Sequence, residues 1–312
     1  MTDILSLDEG YSTTRLLTKE KPKIINTPED KFETVLFLPE GENRKGEGGL
    51  RTKGYFKKSF DDKPLISIIT VVFNGEKYLE ETIQSVINQT YSNVEYIIID
   101  GGSTDGTLDI IKKYEDKIDY WVSEKDRGIS DAFNKGVKVA KGDYINFQGD
   151  GDGFVSSNAL EKVFEGINSS EVIFVSARIS RIDENGEELF ISKHIQSFDK
   201  TSLLFRMSLP HQGLFTHKNY FKKYELFDVD NVFCMDYEHL LRAYKEFPKV
   251  VTKDIVVARW RADGLGNGRT LEIFKEYDKI KRDNKVANNL ILDGIKYWTL
   301  FKYYVKKIIG RD

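Results

Sequence analysis

Four short apolar runs, separated by helical patterns, limit how this 312-residue chain can fold. LISIITVVF (65–73), VEYIIID (94–100), IDYWVSE (118–124) and DYINF (143–147) have strand length and are rich in β-branched and aromatic residues. The first run is apolar almost throughout, as expected of a strand covered on both faces, and the second repeats that signal. Between the runs, Leu79, Ile83, Val86 and Ile87 fall on one helical face, then Leu108, Ile111 and Tyr114, then Phe133, Val137 and Ala140. Ser130 is expected to cap the last of these helices. Strands alternating with helices of about ten residues predict βαβ units, hence an α/β fold with a mostly parallel central sheet flanked by helices. Open sheets of this kind bind ligands at the carboxyl ends of their strands. The unusual polar loops of the chain gather there: Phe73-Asn74, Asp100–Thr107, Glu124–Gly128 and Gly149–Gly153.

The flanking regions differ. Residues 1–62 are polar and interrupted by Pro and Gly, with the Gly-rich stretch EGENRKGEGGLRTKG at 40–54. They read as an irregular extension with one strand at Thr34–Leu38, partly disordered or wrapped on the main domain, and carry no functional signal. Beyond Phe154 a strand is expected at 171–180, paired through the Glu184-Asn185-Gly186-Glu187 turn with the segment after it. Helices are expected at 201–207, 218–224, 236–247 and 270–289, and a strand at 255–261. The last stretch, KYWTLFKYYVKKIIGRD (296–312), mixes aromatic residues with Lys296, Lys302, Lys306, Lys307 and Arg311. It reads equally as an interfacial helix beside anionic lipid or as a terminal helix packed on the domain or on a second subunit. The oligomeric state stays open.

Composition excludes several classes. With 47 Lys+Arg against 50 Asp+Glu, the chain is not built to coat nucleic acid. A single cysteine, Cys234, excludes an internal disulfide or a cysteine-rich zinc site and is expected to be a buried small residue. No apolar run approaches the roughly 20 residues of a membrane span, and MTDILSLDEG lacks a signal-peptide core. A cytoplasmic protein is expected.

Two loops carry the chemical signal. Asp150-Gly151-Asp152 follows the fourth strand; two carboxylates one residue apart in an extended segment can face one hard cation, and the glycines beside them let the backbone approach a diphosphate. Taken alone, such a triplet is usually a solvated turn. Asp100 precedes GGSTDGT and can accept hydrogen bonds from a ribose hydroxyl or a base N–H, while Ser103, Thr104 and Asp105 cap the next helix. No G-x-G-x-x-G follows the first strand and no P-loop lysine is present, so dinucleotide oxidoreductases and P-loop kinases fit poorly. His194, His211, His217 and His239 show no metal-site spacing.

Together, IITVVFNGEKYLEETIQSVINQTYSNVEYIIIDGGSTDGT and SEKDRGISDAFNKGVKVAKGDYINFQGDGDGF resemble the nucleotide-binding half of family-two inverting glycosyltransferases of the GT-A (nucleotide-diphospho-sugar transferase) fold, of the bacterial surface-polysaccharide type. The resemblance is close over about 64–155 and continues in landmarks to about 265. It divides the chain into the extension (1–62), a GT-A domain at 63–265 with nucleotide-binding (63–155) and acceptor (156–265) halves, and a C-terminal helical segment (266–312). It implies that Val72, Phe73, Asn74 and Glu76 surround the base and ribose of a nucleotide, usually uridine, that Asp100 bonds the uracil, and that Arg127 reaches the base or phosphates. Asp150 would sit near the ribose and Asp152 would ligate Mg²⁺ or Mn²⁺ on the diphosphate. Many relatives read Asn-Ser/Ala-Asp-Asp where this chain has Gly149-Asp150-Gly151-Asp152, which favours Asp152 over Asp150 as the metal ligand. PHQGLFTHKNYFKKY (210–224) and MDYEHLLRAY (235–244) resemble the acceptor side, making Asp236 the catalytic base, with Glu238 its nearest rival. His211 and Gln212 would line the sugar pocket. ARWRADGLGNGRT (258–270) resembles a loop closing over both substrates, through which Trp260 and Arg261 would contact sugar and diphosphate. The implied partners are a UDP-sugar and a glycan or lipid-linked acceptor in capsule, O-antigen or exopolysaccharide synthesis, with the enzyme in the cytoplasm or peripheral at the inner membrane face. Two other readings remain: a nucleotidyltransferase, disfavoured because Phe73-Asn74-Gly75-Glu76 is not a basic phosphate loop, and a non-catalytic nucleotide- or glycan-binding subunit.

Overall fold

The computed structural model describes residues 4–41, 43–167, 172–262, 266 and 268–309. Its main sheet is built from β1 (Gly46–Gly48), β2 (Ile66–Val72), β3 (Val94–Asp100), β4 (Tyr120–Ser123), β5 (Tyr144–Phe147), β6 (Gly153–Phe154), β7 (Phe174–Ile182), β8 (Glu188–Ile191), β9 (Leu214–His217) and β10 (Val250–Arg261). The strand order is β1-β4-β3-β2-β5-β9-β7-β10-β6, with β8 on β7. The four strands foreseen from the apolar runs, β4-β3-β2-β5, are mutually parallel. The sheet turns mixed at β9, which runs antiparallel to both β5 and β7.

Helices α1 (Leu79–Ile87), α2 (Thr107–Lys113), α3 (Ile129–Val139) and α4 (Ala159–Phe164) flank the first half; α5 (Lys218–Tyr224), α6 (Met235–Arg242), α7 (Thr270–Asp283) and α8 (Asn289–Ile308) follow. Every residue of β2 and β3 is buried, because alternate side chains enter two different cores. Ile66 and Ile68 pack with Leu79, Ile83 and Val86 of α1; Ile69 and Val71 pack with Phe133 and Val137 of α3. Cys234 is free and buried in a third cluster with Tyr237, Leu241 and Ile280.

Several local expectations shift. Gly128, not Ser130, stands at the start of α3; Ser130 lies inside the helix, its hydroxyl facing Met235 Sδ and Asn231 O. Residues 200–204 form a 3₁₀ turn rather than an α-helix. The expected 270–289 helix breaks at Lys285, whose φ is 50°, and α8 begins anew behind an Asn288 cap. Thr34–Leu38 is not a strand but bends at Leu36 and Phe37: Val35 N–H donates to Lys138 O and Leu38 N–H to Tyr120 Oη, with no facing ladder among the described residues.

The N-terminal extension wraps the sheet. Arg51 donates to Glu95 (2.6 Å), Leu36 O and Val139 O, all buried. Glu95 also accepts from Ser67 Oγ and Lys141 N–H, so its carboxylate is closed on every side.

Candidate active site

The loops after β2 and β3 are zipped together at the carboxyl edge of the sheet. Asn74 takes a left-handed conformation (φ 54°), and its Oδ1 accepts from Thr104 N–H at 2.8 Å. Gly75 N–H donates to Thr107 Oγ1 (2.9 Å), Glu76 N–H to Asp105 (3.1 Å), and Gly106 N–H to Glu76 (2.7 Å). Asp105 thus serves the helix start through Thr107 N–H (3.0 Å), whereas Ser103 and Thr104 turn to Asp100 and Asn74 instead of capping. Val72 is buried at the strand end, and Phe73 stands 65% exposed at the mouth of the cleft. An exposed phenyl ring on a loop held by these hydrogen bonds can serve as a stacking platform for a planar group.

Asp100 lies beneath this rim, wholly buried. Its oxygens accept from Ser103 N–H, Ser103 Oγ and Ser123 Oγ. The resemblance assigns it to uracil directly; in this structure both its oxygens are taken up by the two serines, which tie the loop after β3 to β4. Ser123 is a candidate site residue that sequence reading missed, although parallel register places it opposite Asp100. Asp126 is another: its carboxyl lies against Gly101, accepts from Gly128 N–H at 2.8 Å, and is raised above the usual carboxylate range by burial. Arg127 is exposed, in contact only with Asp131 at 3.3 Å among the ion pairs described.

The Asp150–Asp152 segment is not extended. Asp152 N–H closes a turn onto Gly149 O (3.0 Å), and Gly151 takes φ 85° between the two aspartates. This separates the carboxylates. Asp150 points to the β2–α1 loop, so close that a Cβ on Gly75 would overlap its Oδ2 and lie 2.5 Å from Val72 Cγ2. Asp152 points the other way: Oδ2 accepts from Gln212 Nε2 (2.9 Å) and Gly149 N–H (3.2 Å), Oδ1 from Arg261 N–H (3.0 Å). Burial nonetheless outweighs these donors and pushes its carboxyl up to about 7.

Arg261 is equally committed. Its guanidinium lies 4.1 Å over the Tyr78 ring and bonds Gly151 O, Asp183 O, Glu184 O and Glu81. A buried side chain with five partners is a strap, so the expected role as a free phosphate contact does not match its placement. Trp260 is half-buried with Arg181 stacked 4.6 Å over it. Of the expected closing loop, Asp263, Gly264, Leu265 and Asn267 lie outside the described residues.

Across the cleft, Asp236 occupies the first turn of α6, where the helix dipole favours a carboxylate. Its Oδ1 accepts from Tyr237 N–H (2.7 Å), and its Oδ2 lies 3.9 Å from His211 Nδ1. His211 stacks on Phe147, the last residue of β5, at 5.0 Å and 6°; burial lowers its pKa and Asp236 opposes this only in part. Glu238, the rival, is held by Arg242 through three bonds of 2.6–3.0 Å and is not available. His211 and Gln212 are consecutive, so one dipeptide joins the Asp236 side to the Asp152 turn.

A carboxylate set for a cation can be tested on this geometry. Among the described residues no three His, Cys, Asp or Glu side chains converge. Mg²⁺ or Mn²⁺ on a diphosphate needs one or two protein carboxylates, the remaining ligands being phosphate oxygens and water. Asp150, partly buried against the β2–α1 loop, fits that demand; Asp152, facing three N–H donors, does not fit as placed.

The extension also reaches the site. Lys45 Nζ donates to Gly102 O (2.9 Å) and Ser103 O (2.8 Å), and Arg44 pairs with Glu124 at 2.8 Å. Residues without a functional signal in the sequence thus brace the loop over Asp100.

Comparisons with known proteins bear on the family and the fold. The family model for glycosyl transferase family 2 matches residues 67–235. An uncharacterized glycosyltransferase of Haemophilus influenzae is 35% identical over 144 residues, 45% of this chain and 57% of that protein, so the chain spans little more than half of that relative's length. Staphylococcus aureus TarS (1–349), solved with UDP-GlcNAc, superposes with a TM-score of 0.59 at 17% identity, covering 76% of this chain and 71% of that one. The mannosyltransferase PcManGT of Pyrobaculum calidifontis, solved with GDP-Man and Mn²⁺, gives 0.56 at 16% identity, covering 75% and 70%. At these identities the two structures establish the GT-A fold alone.

Proposed function

The chain belongs to glycosyl transferase family 2, and from that membership we infer that it transfers a sugar from a UDP-sugar to a hydroxyl of a glycan or lipid-linked acceptor, with inversion, in bacterial surface-polysaccharide synthesis. The observation that carries this reading is the His211-Gln212 bridge: His211 Nδ1 lies 3.9 Å from Asp236 while Gln212 Nε2 holds Asp152 at 2.9 Å. A carboxylate able to take a proton is thereby fixed opposite the turn that fits a diphosphate.

In this account Phe73 stacks on the base, Val72, Asn74 and Glu76 hold the loop around base and ribose, and Asp100 with Ser103 and Ser123 sets the floor. Arg127, exposed and paired with Asp131, reaches toward base or phosphate. Asp150 would hold Mg²⁺ or Mn²⁺, with Asp152 anchoring the turn behind it. The cation would neutralise charge growing on the UDP leaving group. Asp236 takes the acceptor hydroxyl's proton as that oxygen attacks the anomeric carbon in one in-line displacement. Neutral His211 and the Phe147 ring shape the sugar side, with Trp260 near its edge. Arg261 acts on the reaction only through the turn it straps.

Calorimetric titration tests the donor half. UDP is expected to bind in the presence of Mn²⁺ and GDP to bind at least about tenfold more weakly, a difference of about 1.4 kcal/mol. Gly75→Ala should weaken UDP by a similar factor or more while the protein stays folded, because its Cβ displaces Asp150. Equal affinity for UDP and GDP, or an unaffected Gly75→Ala, would remove the assignment.

A further inference from the structure

We propose that α8 is a membrane-surface helix whose exposed face lies on an anionic lipid bilayer. Its rotation is fixed by the side that packs: Leu292 and Ile295 are buried, Asp293 takes Arg282 at 2.6 Å, and Lys296 Nζ lies 3.3 Å from Asp278 of α7. At 100° per residue, Leu290, Tyr297, Trp298, Phe301, Tyr304 and Ile308 form one stripe on the opposite side. No charged residue interrupts it, and these six side chains are 52–83% exposed. A helix that met only water on this side would carry polar residues there.

The chemistry of the stripe and its borders selects the occupant. Tyr and Trp have an apolar body and a polar tip, the combination favoured at the headgroup level of a bilayer. Trp298 and Phe301 stack at 5.8 Å, forming a flat apolar surface. Lys302 borders it, its Nζ 5.6 Å from the Trp298 ring, and Lys306 and Lys307 follow in the last turn. Asp293, the one acidic residue of α8, is already neutralised by Arg282, so the free charge along the exposed helix is positive. A positive border around an aromatic stripe matches an anionic headgroup layer. A second copy packed in parallel on the stripe would instead bring the lysines of both copies together. Among the described helices none is long and apolar enough to cross a membrane, so α8 lies in the interface plane over about 30 Å.

This surface does not depend on the proposed transfer reaction, but it complements it. The helix packs on α7, and α7 packs on α6, which opens with the Asp236 turn. A bilayer under α8 would bring a lipid-linked acceptor toward that side of the cleft.

Flotation of the full chain with vesicles tests the proposal. Vesicles of phosphatidylcholine with about 30 mol% phosphatidylglycerol should carry the protein up the gradient at low salt, and pure phosphatidylcholine should carry at least about tenfold less. W298S/F301S and K302E/K307E should each lose at least about tenfold of the anionic-vesicle binding while keeping the wild-type Tm, since all four side chains are exposed. Failure to float with anionic vesicles, equal flotation of W298S/F301S, or a concentration-dependent dimer that W298S/F301S dissolves in place of vesicle binding would each overturn it.

Discussion

Asp236→Asn should lower the turnover number by about 10²–10⁴ while leaving UDP affinity within about twofold. The substitution keeps the shape of the side chain and the Oδ1 acceptor for Tyr237 N–H, so α6 starts as before. What it removes is the only function a neutral amide cannot supply, acceptance of the hydroxyl proton. Separation of the two effects follows from position: Asp236 sits on α6, whereas the nucleotide loops end β2 and β3. Glu238→Gln is the matched control. It disturbs Arg242, which also holds Tyr224 O and Leu226 O, and should cost stability rather than rate per folded molecule. Steady-state kinetics of both variants, with UDP titrations alongside, distinguish the outcomes. A turnover number unchanged in Asp236→Asn would remove it from the chemistry.

The second large effect is on folding. Arg51→Ala should destabilise the protein by about 3–5 kcal/mol, because it strands the Glu95 carboxylate in the interior. Both side chains of the pair are only 3% exposed, and their 2.6 Å contact ties the N-terminal extension to the start of β3. Arg51→Met with Glu95→Gln should recover much of the loss, since neither remaining group is a buried charge. Chemical denaturation of the three proteins provides the comparison; a loss below about 1 kcal/mol for Arg51→Ala would mean that the extension is dispensable to the fold.

These two cases mark what the sequence makes legible. LISIITVVF and VEYIIID announce β2 and β3 because strands buried on both faces are apolar on both faces. The motif spacing carried the family, and the position of Asp236 at a helix start was readable from MDYEHLLRAY. The elimination of Glu238 was readable too, as Arg242 stands four residues on, at the spacing of a helical ion pair. Other features were hidden. Arg51 and Glu95 are 44 residues apart with no periodic signal between them. The divergence of Asp150 and Asp152 depends on one left-handed glycine, and the enclosure of Arg261 depends on carbonyls from a distant hairpin. Such contacts belong to tertiary placement, not to local pattern.

The central claim is donor use, and release of UDP measures it most directly. With Mn²⁺ or Mg²⁺ present, a panel of UDP- and GDP-sugars is supplied without acceptor, so that slow hydrolysis reports turnover. Metal-dependent UDP release is expected from one UDP-sugar, lost in Asp236→Asn and in Asp150→Ala. Turnover of a GDP-sugar alone, or no UDP-sugar turned over by a protein that also fails to bind UDP with metal, would contradict it.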